Sequence, residues 1–112
     1  MNARPSRAEI WQVEMGIAGK VRPCLLLTDY PANDELALVT VIPHTTALRG
    51  NEWEVAIPKP FLKEGAFHIQ QVQSISLPKL MRRLGSLTNE EWNLLAAKLV
   101  ERLVPCLRGQ MT

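Results

Sequence analysis

Arg22 stands immediately before Pro23 at the head of an apolar run, and His44-Thr45-Thr46 follows a second such run. His68 and Gln70 are two apart in an extended segment, so as strand residues they share a face. A guanidinium offers planar donors that match phosphate, and an imidazole takes or gives a proton near pH 7. Threonine hydroxyls bind phosphate oxygens. Together these types suit metal-free cleavage of a phosphodiester by a ribose 2′-hydroxyl. That reaction needs a base, an acid and donors to the phosphorane oxygens. RNA is then the implied substrate, because DNA lacks the attacking hydroxyl. Each group also has an ordinary reading. An arginine at a strand entry is usually solvated, as is a pair such as Arg82-Arg83, and hydroxyls are common in loops.

Other chemistries lack their residues. There are two histidines and two cysteines, with no HxxxH or CxxC spacing, whereas zinc takes four ligands or three plus water. Gly16 and Gly19 are not followed by the Lys-Ser/Thr of a phosphate loop, and no GxSxG is present. Cys24 falls in an apolar strand and reads as an inert core thiol. Hydrophobic residues make up 46% of the 112, enough to offset the entropy of ordering, so the chain folds as about one domain. A net charge of +2 permits only a local basic patch. No run approaches the ~18 apolar residues of a membrane helix, and Met1–Arg7 lacks the apolar core of a secretory signal. The expected compartment is the cytoplasm, with both thiols reduced.

The elements that must position these residues are mostly strands. Ile10, Trp11, Val13 and Met15 fit a first strand, broken at Gly16 and Gly19. Residues 22–28 form a second, with Pro23 at its start or on an edge. Asp29 to Glu35 is a turn-rich linker, and Leu36 to Ile42, apolar apart from Thr40, reads as a central strand. Pro43 to Asn51 reads as a polar loop, and Trp53, Val55 and Ile57 mark a half-exposed strand stopped by Pro58 and Pro60. Ala66 to Ile75 is extended, with a bend where the apolar positions switch from odd to even between Ile69 and Val72. Pro78 to Leu84 is expected to make one or two helical turns, ended by Gly85. Thr88 and Glu91 form a capping box, Leu87 and Trp92 a hydrophobic staple, and Trp92, Leu95, Leu99 and Leu103 an apolar helical stripe that Pro105 ends. The expected architecture is α+β, mainly β: a strongly bent antiparallel sheet or partly open barrel closed by one helix. Residues 1–7 are expected to be a flexible tail and 8–112 a single domain.

From about Ala8 to Leu107 the chain resembles the MazF/PemK (Kid) toxin family. The resemblance rests on Glu9-Ile10-Trp11-Gln12-Val13, Arg22-Pro23-Cys24-Leu25-Leu26-Leu27, Pro43-His44-Thr45-Thr46 and Trp53-Glu54-Val55, then on Gln70-Gln71-Val72-Gln73-Ser74-Ile75 and Leu84-Gly85-Ser86-Leu87-Thr88, in the family's order. It implies an SH3-like barrel, a homodimer, and a toxin that cuts single-stranded RNA without metal or cofactor, leaving a 2′,3′-cyclic phosphate and a 5′-hydroxyl. A cognate antitoxin protein fills the RNA groove. By position, Arg22 acts in proton transfer and phosphate binding, Thr45 holds the phosphate, and Thr46, His44, Arg49, Gln70 and Gln73 contact RNA. Gln70 and Gln73 stand where the family has an acid and a base, and an amide cannot exchange protons as a carboxylate does. His68, with His44 as a second candidate, is then the residue to take over acid/base work. The alternative is a catalytically impaired paralogue that binds protein or RNA. The gyrase-poisoning branch of the fold ranks low, because the chain ends in Gly109-Gln110-Met111-Thr112 rather than Trp-Gly-Ile.

Overall fold

The computed structural model describes residues 4–16 and 20–104. Expectations for Gly19, Pro105 and Cys106, and for the first three residues of the tail, lie outside them. Among the described residues, seven strands and one α-helix follow in order: β1 (Glu9–Glu14), β2 (Val21–Leu26), β3 (Leu38–Thr45), β4 (Glu54–Val55), β5 (Ala66–His68), β6 (Gln73–Ser76), β7 (Leu80–Ser86) and α1 (Asn89–Leu103). The sheet runs β4-β5-β3-β2-β1-β7, with β6 also on β3, and these neighbours pair antiparallel.

The central strand is longer than its apolar run. β3 begins at Leu38, not Leu36, and continues through Pro43, His44 and Thr45. Those residues are strand rather than loop, and all three are buried. The reason lies in partners. The first half of β3 pairs with β6, from Leu38↔Ser76 to Val41↔Gln73. Its second half pairs with β5, through His44↔Phe67 and Thr45↔Ala66. Pro43, which has no N–H, falls where the partner changes. The matching bend on the other side is a 3-10 turn, Ile69–Gln71, which is the physical form of the odd-to-even switch. β4 is shorter than expected, at two residues, although Val55 and Ile57 are both buried.

Leu80–Ser86 is a strand, which corrects the expected helix. Only Leu77–Lys79 turns, as a 3-10 helix around Pro78. The segment Leu-Met-Arg-Arg-Leu-Gly-Ser has no clear alternation. Its form is set by β1, which it joins from Glu9↔Ser86 to Val13↔Leu80 with two register shifts. These shifts strengthen the local twist.

Apolar residues pack on both faces of the sheet. One cluster joins Ile10, Leu25, Ile42, Phe67 and Ile69 to Leu95 of α1. The other joins Val13, Cys24, Leu26, Val39, Val41 and Ile75. The double burial explains why β2 and β3 read as continuous apolar runs. Burial pushes the Cys24 thiol up to about 12, so it stays protonated. The helix begins as its sequence dictates: Thr88 Oγ1 accepts from the Glu91 amide at 3.2 Å, and Glu91 Oε1 accepts from the Thr88 amide at 2.8 Å. The same Glu91 carboxylate meets Lys59 Nζ at 2.7 Å. Trp92 and Leu99 pack on the first cluster around Leu95, but Leu103 is 55% exposed, so the stripe ends a turn early.

Candidate functional site

Arg22 is the second residue of β2, opposite Val13 of β1, and is half-buried rather than fully solvated. Two depressions meet at it. The first, about 670 Å³, is lined by Arg22 with Lys20, Lys79, Glu14, Gln73 and Ser74. The second, about 480 Å³, is lined by Arg22 with Gln12, His44, Thr45, Thr46, Lys63 and Arg82, and by the ring of Phe61. Cationic side chains thus border both, and neither contains an aspartate.

The second depression holds the groups with usable protons. Thr45 Oγ1 accepts from the Ala47 amide at 3.0 Å, which leaves the hydroxyl hydrogen free to donate elsewhere. His44 is buried, with its ring edge-on to Phe67 at 5.1 Å between centroids. Desolvation lowers its pKa below the usual imidazole value, so near pH 7 the ring is neutral and carries one acceptor and one donor nitrogen. Arg82 Nε donates to Gln12 Oε1 at 3.1 Å, which ties β7 to β1 along the wall. Thr46 is exposed at the rim.

The structure separates residues that the sequence grouped. His68 lines neither depression. It lies opposite Glu54 on β4, with Nε2 4.0 Å from Glu54 Oε2, and Nδ1 is buried without a hydrogen-bond partner. It is therefore neither a surface strand residue nor a neighbour of Arg22 on a concave wall. Gln70 does not share its face, because Gln70 belongs to the 3-10 turn and is exposed. Gln73 does reach the first depression, and its side-chain amide donates to the Gln71 carbonyl at 3.2 Å. Arg49 lines neither depression; it lies in the β3–β4 loop, with its amide bonded to Glu54. Sequence reasoning missed Gln12, Lys20, Lys63 and Lys79, and took Arg82 for a solvated face. No local motif marks them, since long-range pairing brings them to Arg22.

The profile of the family described as PemK-like, MazF-like toxin of type II toxin–antitoxin system matches residues 6–103. The chain is 33% identical over 111 residues to the probable endoribonuclease MazF5 of Mycobacterium tuberculosis, covering 96% of this chain and 100% of that protein. Among solved structures, the MazE–MazF complex (form II) of Deinococcus radiodurans superposes with a TM-score of 0.75 at 19% identity, over 92% of this chain and 98% of that one. The Mycobacterium tuberculosis toxin MazF-mt6 superposes at 0.70 with 27% identity, over 83% and 93%. An endoribonuclease in complex with its cognate antitoxin, from a mycobacterial species, superposes at 0.72 with 20% identity, over 88% and 94%.

Proposed function

The chain belongs to the PemK-like, MazF-like toxin family of type II toxin–antitoxin systems, and from that premise we propose that it is a cytoplasmic toxin acting as a metal-independent, sequence-specific endoribonuclease on single-stranded RNA. The observation that carries this reading is the meeting of two cation-bordered depressions at Arg22, with Thr45 and His44 on one of them. One depression suits the nucleotides before the scissile bond and the other those after it, with the phosphate at the arginine between.

In the reaction the ribose 2′-oxygen attacks phosphorus, forming the 2′-O–P bond and breaking the P–O5′ bond. The products are a 2′,3′-cyclic phosphate and a 5′-hydroxyl. The 2′-hydroxyl loses a proton to the base, and the 5′-oxygen gains one from the protonated base or from water. Arg22 stays charged and donates to the phosphorane oxygens, where negative charge develops in the transition state. Thr45 adds a hydroxyl donor from its own oxygen. Neutral His44 accepts the 2′ proton, as an imidazole matched to the operating pH does. That role passes to His44 from His68, which lines neither depression. Thr46 and Gln73 contact RNA at the rims, while Gln70 and Arg49 lie outside both walls.

An antitoxin partner is part of the reading, supported by the relatives solved with theirs. Its segment in the groove is expected to be acidic, to complement Lys20, Lys63, Lys79 and Arg82. A homodimer is also proposed, and Leu94 and Leu103 of α1, with Val104 at its C-terminal cap, are exposed apolar candidates for its interface.

The test is cleavage of a mixed-sequence RNA by the purified protein in EDTA, beside Arg22→Ala. Cleavage with cyclic-phosphate ends, lost in the variant, is the expected result. No cleavage over a wide sequence set would leave a binding paralogue.

A further inference from the structure

We propose that Glu54 is a positioning residue for the phosphate site, holding the β3–β4 loop so that it orients the Thr45 hydroxyl; this rests on the endoribonuclease reading above.

Glu54 lies on β4, and its side chain is only 5% exposed. Three backbone amides of the loop donate to it. Arg49 N meets Oε2 at 2.6 Å, and Gly50 N and Asn51 N meet Oε1 at 2.7 and 3.3 Å. Successive amides turned toward one anion form a nest, and hydrogen bonds to an ionised acceptor are about twice as strong as neutral ones. Gly50 makes the turn possible, at φ +81°. Asn51 completes it by accepting from the Trp53 amide at 2.9 Å. The Arg49 amide, followed by those of Gly50 and Asn51, holds the Glu54 carboxyl below the usual carboxylate range, with His68 adding to the effect.

The loop begins at the catalytic threonine. Ala47, two residues before Arg49, donates its amide to Thr45 Oγ1 at 3.0 Å. That bond occupies an acceptor site of the hydroxyl and so directs its hydrogen outward. Two residues beyond Ala47 the Glu54 nest fixes the chain at Arg49, which limits how far Ala47 can move from Thr45. On the opposite side, a Cβ at Gly65 would overlap the Thr45 carbonyl oxygen, so close packing there also sets the threonine backbone. The line of action runs from the Glu54 carboxylate through the Arg49–Asn51 amides and Ala47 to Thr45. Glu54 itself lines neither depression.

The experiment uses the full-length protein and a mixed-sequence single-stranded RNA in EDTA. It compares wild type, Glu54→Ala, Glu54→Gln, Thr45→Ala and the Thr45→Ala/Glu54→Ala double variant. Thermal melting is followed alongside to verify folding. Glu54→Ala is expected to lower kcat on the order of 10²-fold, as a misplaced reacting group does, while KM moves less. Glu54→Gln keeps an acceptor oxygen for the amides and is expected to recover most of that loss. In the Thr45→Ala background, Glu54→Ala is expected to add little, because residues acting through one group are non-additive. An active wild type with an unchanged Glu54→Ala, or with a full extra loss in the double variant, overturns the inference alone. If Glu54→Ala does not fold, Glu54→Gln carries the test, and a folded Glu54→Gln as slow as Thr45→Ala overturns it as well. An inactive wild type overturns the endoribonuclease reading and this inference with it.

Discussion

His44 and His68 sit one strand apart and meet different surroundings. His44 faces a depression beside Arg22, while His68 faces Glu54. Under the proposed mechanism, His44→Ala is expected to lower kcat by on the order of 10²-fold or more, the usual contribution of a general base. His68→Gln is expected to leave the pH profile of kcat/KM in its wild-type position, because His68 lines neither depression. Measured profiles decide between them. The sign of the pH effect follows from the burial of His44. Its folded pKa lies below 6.5, so between the two values the unfolded chain binds more protons. Stability on this account is present above pH 6.5 and falls as the solution is acidified through that window. Activity falls with it as the base becomes protonated. His44→Ala is expected to remove this part of the acid sensitivity, as read by melting temperature against pH.

At the scale of elements, local signals were legible and borrowed ones were not. The helix start is written in Thr88 and Glu91, and both halves of the capping box form. Thr88→Ala is expected to destabilise the fold by about 1 kcal/mol, lowering the melting temperature of a domain this size by about 4 °C. The bend between Ile69 and Val72 was legible too, because a change of apolar phase leaves no other continuous backbone path. β7 was not legible, since Leu80–Ser86 becomes a strand through β1. The extension of β3 to Thr45 was hidden for the same reason: a proline, an imidazole and a hydroxyl look like loop until β2 and β5 flank them. The candidate site divides along the same line. Arg22 and Thr45 belong to recognisable local strings. Lys63, Arg82 and Gln12 reach the depression only through pairings between distant strands. The Glu54 nest was invisible because it depends on three amides rather than on side-chain types.

At the scale of the whole molecule, the first strand pairs with the last. β1 lies between β2 and β7, and α1 seats Leu95 in the cluster that also contains Ile10. Arg82 and Leu84, which wall the second depression, arrive on that last strand. The consequence concerns synthesis. On the ribosome the chain is made from its N-terminus, so β1 emerges early and waits, one edge unpaired, until residues 80–86 are out. Until then neither the sheet nor the wall of the depression is complete, and β1 and β2 alone carry no working site. Topology is therefore expected to shield the producing cell from a half-made chain, since cutting ability is expected only once residues 80–86 are out. A chain released after Lys79 is expected to be digested rapidly by a non-specific protease under conditions where the full chain persists. It is also expected to cut no RNA. A protease-resistant, active fragment ending there would show that β7 and α1 are dispensable to the fold.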